Sequence, residues 1–327
     1  LNDIKVLLYH PILESAIPND SVVLSHFDIL SHPNIQVRSF LYRDIGKLLG
    51  HYLRAQSRLS ELYLDRLIKE EEVINFVFAK GFMAKALLKS SAAKKKDWKV
   101  GVKFHGMNMF QKQPNFIGEI VKYMFRQSVR SIMNNSDFVF SYGGKISDII
   151  SSELKDSSKI VEIPSGIDES WVNLSAHSEP TDSTLRFLFV GRNDRLKGLP
   201  ELYRALDMLG VDQEFVVHIV GPIPKEDHYD DPRVSYHGEI SSPPELKAFY
   251  DQCDVLLCPS ISEGMPNVIL EAMARGMAVI ATNVGATGAL VSSETGWLLD
   301  SADPALIKDA MLLALALSHE ELAQLQS

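Results

Sequence analysis

Glu263 and Glu271 lie eight residues apart in a stretch that runs Pro259-Ser260-Ile261-Ser262-Glu263-Gly264-Met265-Pro266-Asn267 and continues to Gly276. A polar loop that leads into a helix presents free N–H groups and a positive dipole end, which together favour an anion such as phosphate. Glu263, before the helix, would repel a phosphate placed directly beside it and is better suited to accept hydrogen bonds from hydroxyls. Glu271, a turn into the helix, reaches another hydroxyl group. Two such acceptors flanking a phosphate site suit a ligand with a diphosphate between two sugar rings. Spacing alone leaves a plainer reading open, with Glu271 on the solvent side of an amphipathic helix and Glu263 in a surface loop. The second constellation is Gly191-Arg192-Asn193-Asp194-Arg195-Leu196-Lys197-Gly198. It lacks the Gly-x4-Gly-Lys-Ser/Thr pattern of a Walker loop, but Arg192 and Lys197 supply a forked donor and a point charge that could clamp a diphosphate.

Both constellations need strand ends to carry them. The apolar run Leu185–Val190 reads as a buried strand ending at Gly191, and Val255–Cys258 as another ending at Pro259. Pro266 is placed for a helix start and Gly276 for its stop. The same alternation fills the second half: a helix over Leu199–Leu209, strands Phe215–Val220 and Val234–Tyr236, a helix Pro244–Gln252, a helix Asn267–Arg275, a strand Ala278–Ala281 and a last helix from Pro304. In the first half, strands are expected at Ile4–Tyr9, Ile35–Tyr42, Val73–Ala79, Val100–Phe104, Phe138–Ser141 and Ile160–Ile163. Helices are expected at Ser21–Leu30, Leu48–Ile68, Met83–Leu88, Ile117–Met133 and Lys145–Leu154. Short apolar runs separated by amphipathic helices predict parallel sheets covered on both faces. The expected α/β architecture is two doubly wound, Rossmann-like domains facing across a cleft, one over residues 1–165 and one over 166–327. A polar linker is expected at Ser165–Ser183. In such sheets ligands bind beyond the carboxyl ends of the strands.

Composition narrows the class. The 327 residues are 46% hydrophobic and 23% charged, which excludes a disordered or low-complexity chain. The longest apolar run, Ala310–Leu317, is too short to span a bilayer. The net charge of −9 argues against nucleic acid as a partner. That charge is uneven: 23 Lys and Arg face 17 Asp and Glu through residue 165, a net +6, and 10 face 25 beyond it, a net −15. Cys253 and Cys258 read as buried strand thiols and fit a reducing, cytoplasmic setting.

The Gly-Arg-x4-Lys-Gly loop, followed by Pro-Ser-x2-Glu-Gly-x-Pro-Asn-x3-Glu-Ala-x-Ala-x-Gly, resembles the retaining GT-B glycosyltransferases of family 4. The likeness is strong over residues 185–300. It implies a retaining glycosyltransferase that moves a sugar from a nucleotide-diphosphate sugar to a hydroxyl acceptor, a glycan or lipid-linked glycan, in polysaccharide biosynthesis. It also implies a site. Arg192 and Lys197 would bind the diphosphate and stabilise charge on it. Gly264, Met265 and Asn267 would give backbone contacts to phosphate or sugar. Glu263 would hold hydroxyls of the transferred sugar and Glu271 the nucleotide ribose. His105, closing the Val100–Phe104 strand, would lie near the reacting sugar, and Gly221 and Ile240 would line the nucleobase pocket. The chain departs from the pattern at Tyr9-His10-Pro11-Ile12, which has no glycine pair, and at Gly285–Leu290, which lacks a glutamate common in relatives.

No metal or other cofactor is expected. Asp-x-Asp is absent, and the cations at the diphosphate take over its work; His218, His228, His237, Asp227, Asp230 and Asp231 match no familiar ligand spacing. Lys122, Arg126 and Arg130 recur along the Ile117–Met133 helix. They either meet an anionic surface, which would make the protein peripheral on the inner membrane face, or are simply the wet side of a covering helix. Two rival functions remain open at the sequence level. One is another enzyme on the same fold, such as a nucleotide-sugar epimerase or a phosphorylase. The other is a non-catalytic binder of sugar nucleotides or glycans.

Overall fold

The computed structural model describes residues 6–13, 35–48, 51–56, 76–80, 84–89, 98–104, 106–107, 109–111, 116–173, 184–210 and 212–325. Packing divides the chain into two units. One comprises Leu1–His105, Ile120–Ser141 and Ile149–Ile163; the other comprises Gly106–Glu119, Tyr142–Asp148 and Pro164–Ser327.

In the first unit the strands are β1 (Val6–Leu13), β2 (Ile35–Leu48), β3 (His51–Gln56), β4 (Phe76–Lys80), β5 (Lys99–Lys103), β6 (Phe138–Ser141) and β7 (Ile160–Glu162). Their order is β3-β2-β1-β4-β5-β6-β7, parallel except for the β2–β3 pair. That exception corrects the helix expected from Leu48, because residues 51–56 are a strand. Only Leu49 and Gly50 separate β2 from β3, and so short a connection suits antiparallel neighbours, whereas a parallel crossover needs a dozen or more residues. The expected helix at Ser21–Leu30 and the stretch 57–68 lie outside the described residues.

Helices α1 (Ala84–Lys89), α2 (Phe116–Asn135) and α3 (Lys145–Glu153) follow. In α2 the buried Val129, Ile132 and Met133 repeat at helical spacing. Arg130, the last member of the basic stripe, donates through Nε to Glu153 and is thereby engaged with α3. Arg126 stands 6.0 Å from the Tyr123 ring. Among the described residues no helix is long and apolar enough to cross a membrane.

The second unit holds β8 (Leu185–Val190), α4 (Leu199–Leu209), β9 (Phe215–Val220), β10 (Val234–Tyr236), α5 (Pro243–Gln252), β11 (Val255–Cys258), α6 (Asn267–Ala274), β12 (Ala278–Thr282), β13 (Gly296–Leu299), α7 (Pro304–Ala316) and α8 (His319–Leu325). The parallel order is β10-β9-β8-β11-β12-β13, so the winding reverses between β8 and β11. Alternate strand residues feed two cores. Phe187, Phe189, Val217, Ile219, Val255 and Leu257 face one side. Leu188, Val220, Leu256, Cys258, Val279 and Ala281 face the other. Burial on both faces is why these strands read as continuous apolar runs.

Helix α4 shows how sequence sets one element. Gly198 precedes it with φ of 74°, Pro200 occupies its first turn, and Gly210 ends it. Leu199, Leu202, Leu206 and Leu209 bury one face. Strand β13 was not expected. It is four residues long and starts at Gly296, where a Cβ would sit 2.0 Å from the Val279 carbonyl oxygen. Cys253 ends α5 instead of lying in a strand.

The first part of the expected linker is likewise structured. Residues 169–171 form a single tight turn capped by Asp168. Trp171 meets Tyr250 edge-on at 5.7 Å, and Asn173 N donates to the Ala274 carbonyl at 2.9 Å. An aromatic residue that finds a core in this way anchors a segment which polar composition alone marks as a linker. Residues 174–183 lie outside the description.

Candidate active site

The loops after β8 and β11 meet at the reversal point, where an open α/β sheet leaves a crevice for ligand. Ile261 N donates to the Leu196 carbonyl at 2.8 Å and zips the two loops together. Gly198 permits the approach: a Cβ there would stand 1.8 Å from the Pro259 carbonyl oxygen.

Asp194 shapes the first loop. Its side chain accepts from Leu196 N at 2.9 Å, and the turn over Arg195–Lys197 carries Lys197 towards the second loop. Lys197 Nζ lies 2.7 Å from Glu263 Oε1. Ser260 Oγ donates to the same oxygen at 2.8 Å. The Glu263 side chain is 11% exposed, so the surface-loop reading does not hold. The three cations of the first loop differ in their engagements. Arg195 forms a two-pronged pair with Glu201, Lys197 pairs with Glu263, and Arg192 is exposed.

The second loop is buttressed from behind. Ala286 N donates to the Gly264 carbonyl at 2.7 Å. A Cβ on Gly285 would fall 2.4 Å from both the Glu263 and Gly264 carbonyl oxygens. The run Gly285–Leu290, noted in the sequence for its missing glutamate, therefore works as a close-packed support. Met265 is buried, and its sulfur accepts from Ser165 N at 3.1 Å. Asn267 is exposed at the first position of α6.

Glu271 projects from α6 into the sheet side of the unit. The Tyr250 hydroxyl donates to its Oε2 at 2.6 Å, and Tyr250 is fully buried. Burial pushes the Glu271 carboxyl above its ordinary range, and the Tyr250 hydrogen bond pulls it part of the way back. The solvent-facing alternative for Glu271 therefore falls.

Gly221 lies at the adjoining edge, beside the first loop. A Cβ there would be 1.8 Å from the Gly191 carbonyl oxygen, and its N–H donates to Gly238 O at 2.7 Å. Ile240 is half-buried against the core that contains Leu188 and Val220. His105 lies outside the described residues.

Three contributors carry no signal of their own in the sequence: Ser260, Tyr250 and Gln111. Ser260 lies inside the motif and Tyr250 on α5. The third contributor is Gln111. Its amide Nε2 donates to the Glu263 carbonyl at 3.0 Å, and its Oε1 accepts from Ser262 Oγ at 2.7 Å. A lone glutamine 152 positions away carries no spacing signal.

His218 Nδ1 and His237 Nε2 are 2.9 Å apart, and burial lowers the affinity of both rings for a proton. His228 instead stacks on Tyr236 at 3.6 Å. Among the described residues no three His, Cys, Asp or Glu side chains gather to hold a metal. Cys258 is fully buried, and burial pushes its thiol up to about 12.

Both sheets and the reversal point define a GT-B architecture, and comparison with known proteins agrees. Residues 184–316 match the family described as Glycosyl transferases group 1. D-inositol 3-phosphate glycosyltransferase of Arthrobacter sp. (strain FB24) is 34% identical over 141 residues, covering 38% of this chain and 33% of that protein. The putative teichuronic acid biosynthesis glycosyltransferase TuaC of Bacillus subtilis (strain 168) is 30% identical over 150 residues, covering 45% and 35%. The chain thus matches about a third of the length of these curated relatives. Among solved structures, Anabaena Alr3699/HepE in complex with UDP superposes with a TM-score of 0.69 at 15% identity, covering 99% of this chain and 93% of that one. Sucrose-phosphate synthase from Thermosynechococcus elongatus gives a TM-score of 0.70 at 18% identity, with 98% and 92% covered.

Proposed function

We propose that the protein is a retaining glycosyltransferase that moves a sugar from a nucleoside-diphosphate sugar to a hydroxyl of a glycan or lipid-linked glycan without a metal. The observation that carries this reading is the Lys197–Glu263 pair at the reversal of the second sheet, 2.7 Å across and beside the start of α6. It sets a cation and a hydroxyl acceptor side by side, as a sugar phosphate requires.

In this reading the difficult feature is charge growing on the departing diphosphate. Lys197, Arg192 and the α6 N-terminus stabilise that charge in a preorganised site. Glu263 accepts from the transferred sugar, and Glu271 accepts from the nucleotide ribose. The solved Anabaena relative in complex with UDP supports a uridine nucleotide as the first probe.

A thermal-shift panel of UDP, GDP, ADP and dTDP, each with and without EDTA, tests the donor site. A nucleotide at about 100 times its Kd stabilises a fold by about 2.7 kcal/mol, which is readily seen. One nucleotide is expected to stabilise, equally with EDTA, and Lys197→Ala to abolish the shift. A panel with no shift overturns the reading. The anomeric proton of the product, followed by NMR during turnover, reports retention or inversion.

A further inference from the structure

We propose that Ser260 is a positioning residue: its hydroxyl anchors Oε1 of Glu263 from the protein side and so presents Oε2 to a hydroxyl of the transferred sugar. The proposal rests on the glycosyltransferase reading above and adds to it the part that orients its key carboxylate.

Glu263 Oε1 accepts two bonds, from Lys197 Nζ at 2.7 Å and from Ser260 Oγ at 2.8 Å. None of the described residues donates to Oε2, which leaves one oxygen available. Ser260 is itself fixed at both ends. It is 1% exposed, and the Thr282 hydroxyl donates to its carbonyl. Cys258 Sγ lies 3.7 Å from its Oγ. A buried thiol that keeps its proton can donate to Oγ, which leaves the serine proton for Glu263. Hydrogen bonds then run in one direction, from Cys258 through Ser260 to the carboxylate.

The serine matters because Lys197 has two calls on it. In the ligand-free protein it pairs with Glu263, and an arriving diphosphate competes for the same ammonium group. A carboxylate held by Lys197 alone would be released, free to turn, when the sugar arrives. The Ser260 hydroxyl is neutral and buried, so phosphate does not draw it away. Its effect should therefore appear with a sugar diphosphate and vanish with the bare nucleotide.

Calorimetric titration tests this with the nucleotide that stabilises the wild type and with its glucose, galactose and N-acetylglucosamine esters. Ser260→Ala is expected to weaken the best-bound ester roughly 10-fold, the size of one hydrogen bond to a charged group, while the bare nucleotide binds as before. Ser260→Cys, of similar size and still a weak donor, should fall between the two. Equal losses for ester and nucleotide, or no loss for either, overturn the role of Ser260 and leave the donor site standing. A wild type that binds the nucleotide and none of the esters overturns it too, since Glu263 then has no sugar to hold. A wild type that binds no nucleotide removes the glycosyltransferase reading itself.

Discussion

Glu263 and Glu271 belong to one motif, yet the protein treats them in opposite ways. Glu263 stands in a loop, balanced by the ammonium of Lys197 and steadied by a serine. Glu271 stands on a helix, has no ion pair among the described residues, and is held by the phenol of a fully buried tyrosine. Charge compensation at the first glutamate would let a carboxylate sit beside the phosphate of the proposed donor. At the second, the donor is neutral, and burial makes the carboxyl reluctant to ionise. A spacing of eight residues thus delivers two acceptors to one edge, and their neighbours decide what each can accept.

Removing the cation should produce the largest difference. Lys197→Ala is expected to lower kcat/KM by roughly 10²–10³, the cost of losing one preorganised donor to a developing oxyanion. Glu271→Gln should cost far less, about 10-fold and mostly in the donor KM, because an amide oxygen still accepts from Tyr250 and would still accept from the ribose of the proposed donor. Steady-state kinetics on both variants decides the point. Equal losses in kcat would erase the distinction between the two glutamates.

Tyr250→Phe probes the second glutamate from behind. It strips a partly buried carboxyl of its donor, and leaving such a group unsatisfied costs about 1–3 kcal/mol. Urea unfolding should show that loss, and nucleotide affinity should fall with it. Discrimination between a sugar ester and the bare nucleotide should survive, unlike in Ser260→Ala. A Tyr250→Phe protein that loses ester discrimination would mean the two sites are mechanically one.

Sequence made parts of this picture legible for definite reasons. Strands β8, β9, β10 and β11 are apolar and short, and their bounds coincide with the runs read from the residues. Lys197 and Glu263 stand out because only ten basic residues lie beyond residue 165 and because both belong to linked motifs that resemble a known family. The β2–β3 hairpin did not stand out. Its residues from His51 to Gln56 are mixed in polarity, and mixed polarity over six residues fits a helix or a strand equally well. Strand β13 is too brief to show a period, and what identifies it is the close approach of Gly296 to β12. Ser260, Gln111 and Tyr250 were invisible for a different cause. Each acts through a side chain brought in by the fold, and serine after a strand, glutamine in a loop and tyrosine on an amphipathic helix are all commonplace.

The smallest effect is the most specific to the second glutamate. Because the folded-state pKa of Glu271 is raised, its contribution to stability is whole below the ordinary carboxyl range and is lost as pH rises through the folded value. At neutral pH the wild type therefore carries a penalty that Glu271→Gln removes. The variant is expected to melt slightly higher than the wild type near pH 7, and the gap should close as pH falls into the ordinary carboxyl range. His218 and His237 have depressed pKa values, so both proteins lose stability as pH falls below the usual histidine range. That common loss cancels when the two melting curves are subtracted. Saturating nucleotide sharpens the test, because ribose hydroxyls donating to Glu271 would stabilise its ionised form and shrink the gap at pH 7. A gap that ignores the nucleotide would place the ribose elsewhere and leave Glu271 as a partner of Tyr250 alone.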